Sequence, residues 1–536
     1  MRFQSLWQMP LLLGVAATSF TYAAAPAAVA PAAPVAVAAA PAGPVDTATL
    51  MKQIEDLKKQ VSTIAYKQRK SDEKLDATTK VENAKIGVLQ ANQTSPFPKG
   101  YIAIPGSNSA IKIGGRIKAD AAYYPGNTVD ANNLSFDATK IPIRGSDPQA
   151  GKSGGIAGTV AYSRIELNSL TQTKAGDVKG WLQTDFAGAQ TSGTSTASTS
   201  TTSYGLRLRH ATVEWNSLLV GQTTSNFLDA DAGPNTLDNN GFSSTVRRVQ
   251  VRWTQKLVDG LSLAVAAERP NTDYLAQDGS TSDNKGFGRS NLPDLTARLR
   301  YAGKQGFVSL RGIVRQLAVN VAAGETVPQL TGTGSGLVSS STSTPASTRF
   351  ANKQTGWGIG SSFKLITSGL SNLYGHVTTG DGINGFLAIE SVPSAYLQMP
   401  STNSTSDVLK ARNASRFDTH TGSNGILGYE HWWTEQFRTN IAGSYTKLKN
   451  STYAPVSTSA TQVTSLMKKV LVNAIYSPIK QIDVGIEFMY GTRETIGGMV
   501  NIANTTAGQA SNAPGSYYAG GTGKATQVMT SFIYKF

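Results

Sequence analysis

The residues able to do covalent or metal chemistry are few and badly placed. The chain of 536 residues has no Cys and four His, at positions 210, 376, 420 and 431. Without thiols there is no disulfide scaffold, Cys-ligated zinc, iron–sulfur cluster or thiol nucleophile. No two His stand at the i, i+4 spacing of a helical metal site. Gly151-Lys152-Ser153-Gly154-Gly155 matches the G-x-S-x-G nucleophile elbow, but no strand precedes it and no helix follows it. The same Gly-Lys-Ser lacks the upstream Gly of a phosphate loop, position 146 being Ser. His210 and His431 fall in strand-like segments with no Ser and acid at a readable spacing, so a structural or interfacial role is expected of them. The expectation is a protein that is not an enzyme and uses no cofactor or metal.

A different chemistry is written in the arginines. After Gly100 the hydrophobic period becomes two: Ile111, Ile113, Ile117, Ala119, Ala121 and Tyr123 alternate with Lys112, Arg116, Lys118 and Asp120. Repeated along the chain, the polar phase collects Arg164, Lys179, Arg207, Arg209, Arg248, Arg252, Arg298, Arg300, Arg311, Arg315, Arg438 and Arg493. The acids in that phase are fewer: Asp120, Glu166, Asp185, Glu268, Asp294, Asp483 and Glu487. A Lys or Arg facing lipid at mid-membrane costs roughly 2–4 kcal/mol, so these side chains are expected to face a watery lumen. An excess of arginine in a narrow, low-dielectric passage concentrates anions, and its planar fork pairs with carboxylate and phosphate. The densest cluster is Arg248, Arg252, Arg298, Arg300, Arg311 and Arg315; Arg116, Lys118, Arg207 and Arg209 stand behind it. Counter-charged walls of a weakly selective channel would give a similar ladder.

The elements that would carry these residues are sixteen alternating segments. They lie near 109–124, 160–170, 177–187, 204–216, 217–225, 246–256, 260–269, 292–302, 305–317, 354–366, 369–380, 424–434, 436–447, 467–478, 481–493 and 524–536. The gaps alternate short and long, the bookkeeping of an antiparallel transmembrane β-barrel with tight periplasmic turns and long outer loops. Val528, Thr530, Phe532, Tyr534 and Phe536 share one face of the last segment, an aromatic stripe like the C-terminal signature of bacterial outer-membrane proteins. Expected girdle aromatics at strand ends include Tyr123, Tyr124, Phe186, Trp253, Tyr301, Trp432, Trp433, Tyr490 and Tyr534. Most long loops are Ser/Thr/Gly-rich, with 188–203 and 330–348 nearly pure low complexity, and are expected to be flexible. The 226–245 loop differs. Its Asp229, Asp231 and Asp238 stand among Phe227, Leu237 and Phe242, enough apolar residues for it to fold against a wall and narrow the lumen.

Upstream, Arg2, an apolar run from Met9 to Val15 and small residues to Ala25 give a secretory signal peptide over 1–23. An Ala/Pro-rich spacer follows over 24–45. Leu50, Ile54, Leu57, Val61 and Ile64 then mark the seam of a periplasmic helix or coiled coil over 46–95, ended by Ser95-Pro96-Phe97-Pro98. The barrel domain is 100–536. Composition agrees: 49 Lys and Arg against 34 Asp and Glu give +15, yet only 15% of residues are charged and 40% are hydrophobic. A mean hydropathy of −0.20 is too polar for a bundle of membrane helices. Nucleic acid as the partner of that charge is set aside by export, the absence of a basic run and the inward phase of the arginines.

Several segments resemble the DcaP-like outer-membrane porins: GYIAIPGSNSAIKIGG at Gly100–Gly115, Ser163-Arg164 with Asp185-Phe186, LRLRHA at Leu206–Ala211 and GQTTSNF at Gly221–Phe227. So do YGHVTTGDG at Tyr374–Gly382, YEHWWTEQFR at Tyr429–Arg438 and the stretch Val472–Gly498. The resemblance implies a sixteen-stranded homotrimeric porin with an N-terminal periplasmic coiled coil, lumenal Arg164, Arg209, Arg438, Glu487 and Arg493, and small anionic solutes such as dicarboxylates. Outer-membrane lipid and lipopolysaccharide are the expected surroundings, with cell-wall contact through the helix a further partner. Two other readings stay open: a phosphate-selective porin, and an anchoring or surface-binding protein whose barrel is plugged.

Overall fold

The computed structural model describes residues 47–94 and most of 96–536. Left undescribed in the second span are 128, 130–133, 144–153, 189–203, 240–241, 243–244, 277–285, 324–325, 332–337, 346–348, 388–391, 399–415, 450–462, 497, 500–516 and 519–520. The expected signal peptide and spacer lie outside the described residues. Residues up to Gly87 and from Val88 onward form two separate units.

One helix, α1 (Thr47–Thr94), supplies the described residues of the first unit, 47–87. Leu50, Ile54, Leu57, Val61 and Ile64 are all exposed along it. The helix satisfies its own backbone groups, and the charges between these residues suit solvent, while the apolar seam is left exposed.

The second unit is built on sixteen strands. They are β1 (Ser109–Tyr124), β2 (Gly155–Thr159 and Arg164–Thr171), β3 (Val178–Asp185), β4 (Arg207–Trp215) and β5 (Leu218–Thr224). Next come β6 (Arg247–Val258), β7 (Leu261–Glu268), β8 (Asp294–Gly303), β9 (Gly306–Val321), β10 (Phe350–Ser368) and β11 (Ser371–Asp381). The last five are β12 (Thr421–Trp432), β13 (Phe437–Lys449), β14 (Thr464–Ile479), β15 (Ile482–Thr495) and β16 (Gly521–Lys535). Each pairs antiparallel with the next, as Arg298↔Arg311 joins β8 to β9. Tyr123↔Val528 and its neighbours join β1 to β16, which closes the barrel and leaves no edge unpaired. The sixteen segments expected from the sequence are these sixteen strands.

Tight turns alternate with long loops as expected. The Asn216-Ser217 turn holds Asn216 at φ 53°, and Gly260 turns at φ 79°, left-handed positions that Asn and Gly tolerate. The outer face is a band of exposed Ile117, Leu182, Val220, Leu310, Ile359 and Val472 with many like them. Tyr123, Trp253, Tyr301, Trp433, Tyr490 and Tyr534 also point outward. Tyr124 and Trp432 depart from the girdle expectation. Tyr124 is buried inside, its hydroxyl accepting from Gln527 Nε2 at 3.1 Å, and Trp432 packs under Arg438 with its Nε1 donating to Glu430. Both occupy the inward phase of their strands, which period two assigns before any preference for the rim.

Two irregularities break that alternation. In β2, residues 160–163 oppose only 117–119 of β1, and Ser163 Oγ accepts the Lys118 amide to fill the ladder. In β4 a bulge sets Gln183 against His210 and Thr184 against Leu208, so Arg209 and His210 both turn inward. The low-complexity 330–348 loop is less uniform than its composition: Thr326–Thr331 and Val338–Pro345 pair as a hairpin, where β-branched Val and Thr recur.

Candidate functional site

The interior is divided. Inward residues of β11–β16 such as Tyr374, Ile426, Leu471, Met489 and Ala525 are buried in one apolar cluster with loop residues Phe136, Ile141, Phe227, Phe242, Ile383, Phe386 and Leu387. Three stretches of loop (around 134–143, 226–239 and 383–387) thus fold inside the barrel. Inward glycines make room for them. A Cβ on Gly491 would meet the Phe136 ring at 2.6 Å, one on Gly358 would meet Ile383 and Phe227 at 2.7 and 3.0 Å, and one on Gly422 would meet Leu387 at 2.3 Å.

The 226–239 segment crosses from one wall to the other. On the β8–β10 side, Ser309 and Ser362 hydroxyls donate to Asp229 at 2.9 and 2.8 Å, and Arg300 reaches Asp229 at 3.3 Å and Asp231 at 3.0 Å. Arg311 donates to the Phe227 carbonyl at 2.9 Å. On the far side the Glu487 carboxylate accepts from Thr236 Oγ1, the Leu237 and Asp238 amides and Asn473 Nδ2, all within 3.0 Å. Lys118 Nζ joins Asp120 at 2.7 Å to the Leu237 carbonyl at 2.8 Å and Asn239 Oδ1 at 2.7 Å. The loop also ties down its neighbour, since Asp238 Oδ1 accepts the Phe136 amide at 2.9 Å. Burial, then the adjacent Glu487, pushes the Asp238 carboxyl up to about 7. Of the three loop acids, Asp229 and Asp238 are buried and only Asp231, its side chain 66% exposed, meets water.

Several residues of the expected wall are therefore engaged. Arg315 is fully buried, ion-paired to Asp294 and Asp273 at 3.4 Å each and donating to the Gly382 carbonyl. Arg438 bonds Ser477 and Asp483, and Arg493 donates to Thr464 Oγ1 and the Ile141 carbonyl. Arg207 and Arg209 share Asp185, at 2.7 and 2.8 Å. These groups hold loops and strands in place.

Five others are free. Arg116, Arg164, Arg248, Arg252 and Arg298 face inward, are half-buried, and have no carboxylate within ion-pair distance among the described residues. Register sets Arg116 beside Arg164, and Arg164 beside Asp185. Arg298 stands directly across from Arg311. Arg248 lies over the Phe386 ring at 5.6 Å. Arg247, which the strict period assigns to the lipid side, is a sixth: half-buried at the loop end of β6, it lies within electrostatic reach of Arg207, Arg209 and Asp185. Its signal was the Arg247-Arg248 pair at a strand end, where the alternation relaxes. His210 stacks on Trp181 at 4.0 Å and bonds Thr223 Oγ1 at 2.9 Å, while His431 joins Tyr429 and Trp433 near the turn end of β12.

A closed sixteen-stranded barrel with an apolar outer band, tight turns at one end, folded-in loops at the other and arginines inside defines an outer-membrane protein of the porin class. Residues 34–344 match the family described as DcaP outer membrane protein, and the chain belongs to that family. The outer membrane channel DcaP of Acinetobacter baumannii is 20% identical, covering 81% of this chain and 99% of its own, with a TM-score of 0.56. The anion-selective porin of Comamonas acidovorans is 11% identical over 80% of this chain and all of its own, at a TM-score of 0.41. Salmonella typhi OmpF is 12% identical over 81% of this chain and all of its own, at 0.43. No protein of curated function matches the chain at comparable significance.

Proposed function

We propose that the protein is a homotrimeric diffusion porin that passes small hydrophilic solutes and favours anions, dicarboxylates among them. The observation that carries this reading is the set of inward, half-buried guanidiniums without carboxylate partners on β1, β2, β6 and β8. An inward side chain that keeps accessible surface borders water, whereas the inner faces of β11–β16 are covered by loops. The aqueous path therefore runs along the arginine side, where unbalanced positive charge raises the local concentration of anions. The exposed apolar seam of α1 supports a three-stranded periplasmic coil, which would hold the protomers together.

Swelling of liposomes bearing the purified protein tests this directly. Succinate is expected to enter faster than a neutral solute of equal size, and an amine of equal size slowest. The loop segments packed inside the barrel favour a second reading, an anchoring barrel closed by its own loops. Swelling in no solute at all would decide for it.

A further inference from the structure

Outside the barrel, β6–β10 form a shallow apolar groove of about 870 Å³. Its floor is Ala267, Ala297 and Gly312, and its walls include Trp253, Leu295 and Trp357. The register explains the hollow. One row reads Trp253, Val265, Ala297, Gly312 and Ile359 across five strands, and the next reads Val251, Ala267, Leu295, Val314 and Trp357. Ala297 and Gly312 in the first row and Ala267 in the second sink the surface between Trp253 and Trp357, with Leu295 standing up beside the hollow. The volume falls within the range of small-molecule sites.

Position and charge say what fits it. Gly312 and Val314 lie six and eight residues above the Gly303–Gly306 turn, which at ~3.3 Å per residue and ~40° tilt places them ~15–20 Å up an apolar band ~25 Å tall. That is the outer leaflet. The next outward positions toward the loops are Gln316 and Thr355, paired with one another, so the apolar band ends there. Arg269, two residues beyond Ala267 on the same face of the chain, and Lys353, four before Trp357, are both exposed. Neither has an ion-pair partner among the described residues. Among the described residues, the acid beside Trp357 on the outward face is Asp381, which is capped by the Thr419 and Thr421 hydroxyls. Three strand spacings of ~4.8 Å separate β7 from β10, so the two cations stand ~14 Å apart across the top of the groove.

We propose that this groove is a specific site for a phosphorylated lipid of the outer leaflet, with an acyl chain lying in the hollow and phosphates on Arg269 and Lys353. The inference rests on the orientation of the barrel in the outer membrane and is independent of what the channel conducts. A second copy of the chain would meet the same hollow but gives no reason for two unpaired cations at the headgroup level. Charge at that level and apolar depth below it match an anionic amphiphile.

The test is native mass spectrometry of the full-length oligomer extracted in mild detergent, with purified lipopolysaccharide added back as the probe. Arg269→Glu with Lys353→Glu leaves the groove and barrel contacts untouched, and Ala297→Phe fills the floor. Lipid occupancy is expected to fall by about fivefold or more per basic residue removed, the size of one basic side chain's attraction to an anionic lipid surface. The filled variant is expected to lose bound lipid while conductance and oligomer size stay as in the parent. Unchanged occupancy in the charge-reversed protein would overturn the proposal. So would a filled variant that keeps its lipid but loses its oligomer, a result that would assign the groove to a second copy.

Discussion

Replacing Glu487 by Ala should release the loop that crosses the lumen. The Glu487 side chain is buried and accepts from Thr236 Oγ1 at 2.8 Å, the Leu237 amide at 2.8 Å and the Asp238 amide at 3.0 Å, besides Asn473. Hydrogen bonds to a charged acceptor contribute ~1.5–3 kcal/mol each. Three loop donors lose their partner together, and water entering the vacated space restores part of the loss. A net weakening of ~3–5 kcal/mol follows, or ~10²–10³-fold or more in the ratio of docked to undocked loop. Lys118 and Arg300 still hold the loop at other points, so the barrel itself should remain folded. Single-channel recording in planar bilayers is the assay. The expected result is larger and noisier current steps, with Glu487→Gln intermediate because it keeps one acceptor oxygen. A folded, heat-modifiable Ala variant with the parent's conductance and noise would mean that the loop is not held by this carboxylate.

Other outcomes follow from the same contacts. Arg252→Ala with Arg298→Ala should lower anion preference with normal assembly, because neither guanidinium has an ion-pair partner among the described residues; the zero-current potential measures it. Arg315→Ala should instead lower folded yield and unfolding midpoint, since breaking a buried pair costs ~3–5 kcal/mol and leaves Asp294 uncompensated. Asp238 titrates near 7 in the fold against an ordinary value of 3.8, so its contribution is complete below ~4 and is lost as pH rises through ~7. Channel noise should therefore grow as pH rises from ~4 to ~7 and level off above that, and Asp238→Asn should abolish that dependence. Leu57→Asp with Val61→Asp should weaken the oligomer on native gels while the barrel keeps its heat-modifiability, because both residues lie on the exposed seam of α1.

The strands were legible because period two is imposed by the solvents on either side of the wall. Ile117 beside Lys118 needs no tertiary information to be assigned a face. Phase, however, says which way a side chain points and nothing of what it meets. Lys118, Arg300, Arg311 and Arg315 share the phase of Arg298, yet their partners are Leu237, Asp229, Phe227 and Asp273, brought in by loops of no fixed period. Glu487 reads as a lumenal acid and is an anchor for amides 250 residues away. Besides the apolar residues of the 226–245 loop, these loops leave a trace in the inward glycines of the strands, Gly358, Gly422 and Gly491, each placed where a loop side chain needs the space of a Cβ. The bulge that turns His210 inward and the extra residue in β2 leave no comparable mark, because each depends on the partner strand's register.

If the aqueous path follows the unbalanced arginines, the channel must select for anions. The most direct measurement is the zero-current potential of the purified protein in a planar bilayer across a KCl gradient. A chloride-selective potential, with conductance inserting in steps of three, is the predicted result. A cation-selective potential would rule out an arginine-lined path while leaving the barrel intact, and the absence of any conductance would rule out an open channel.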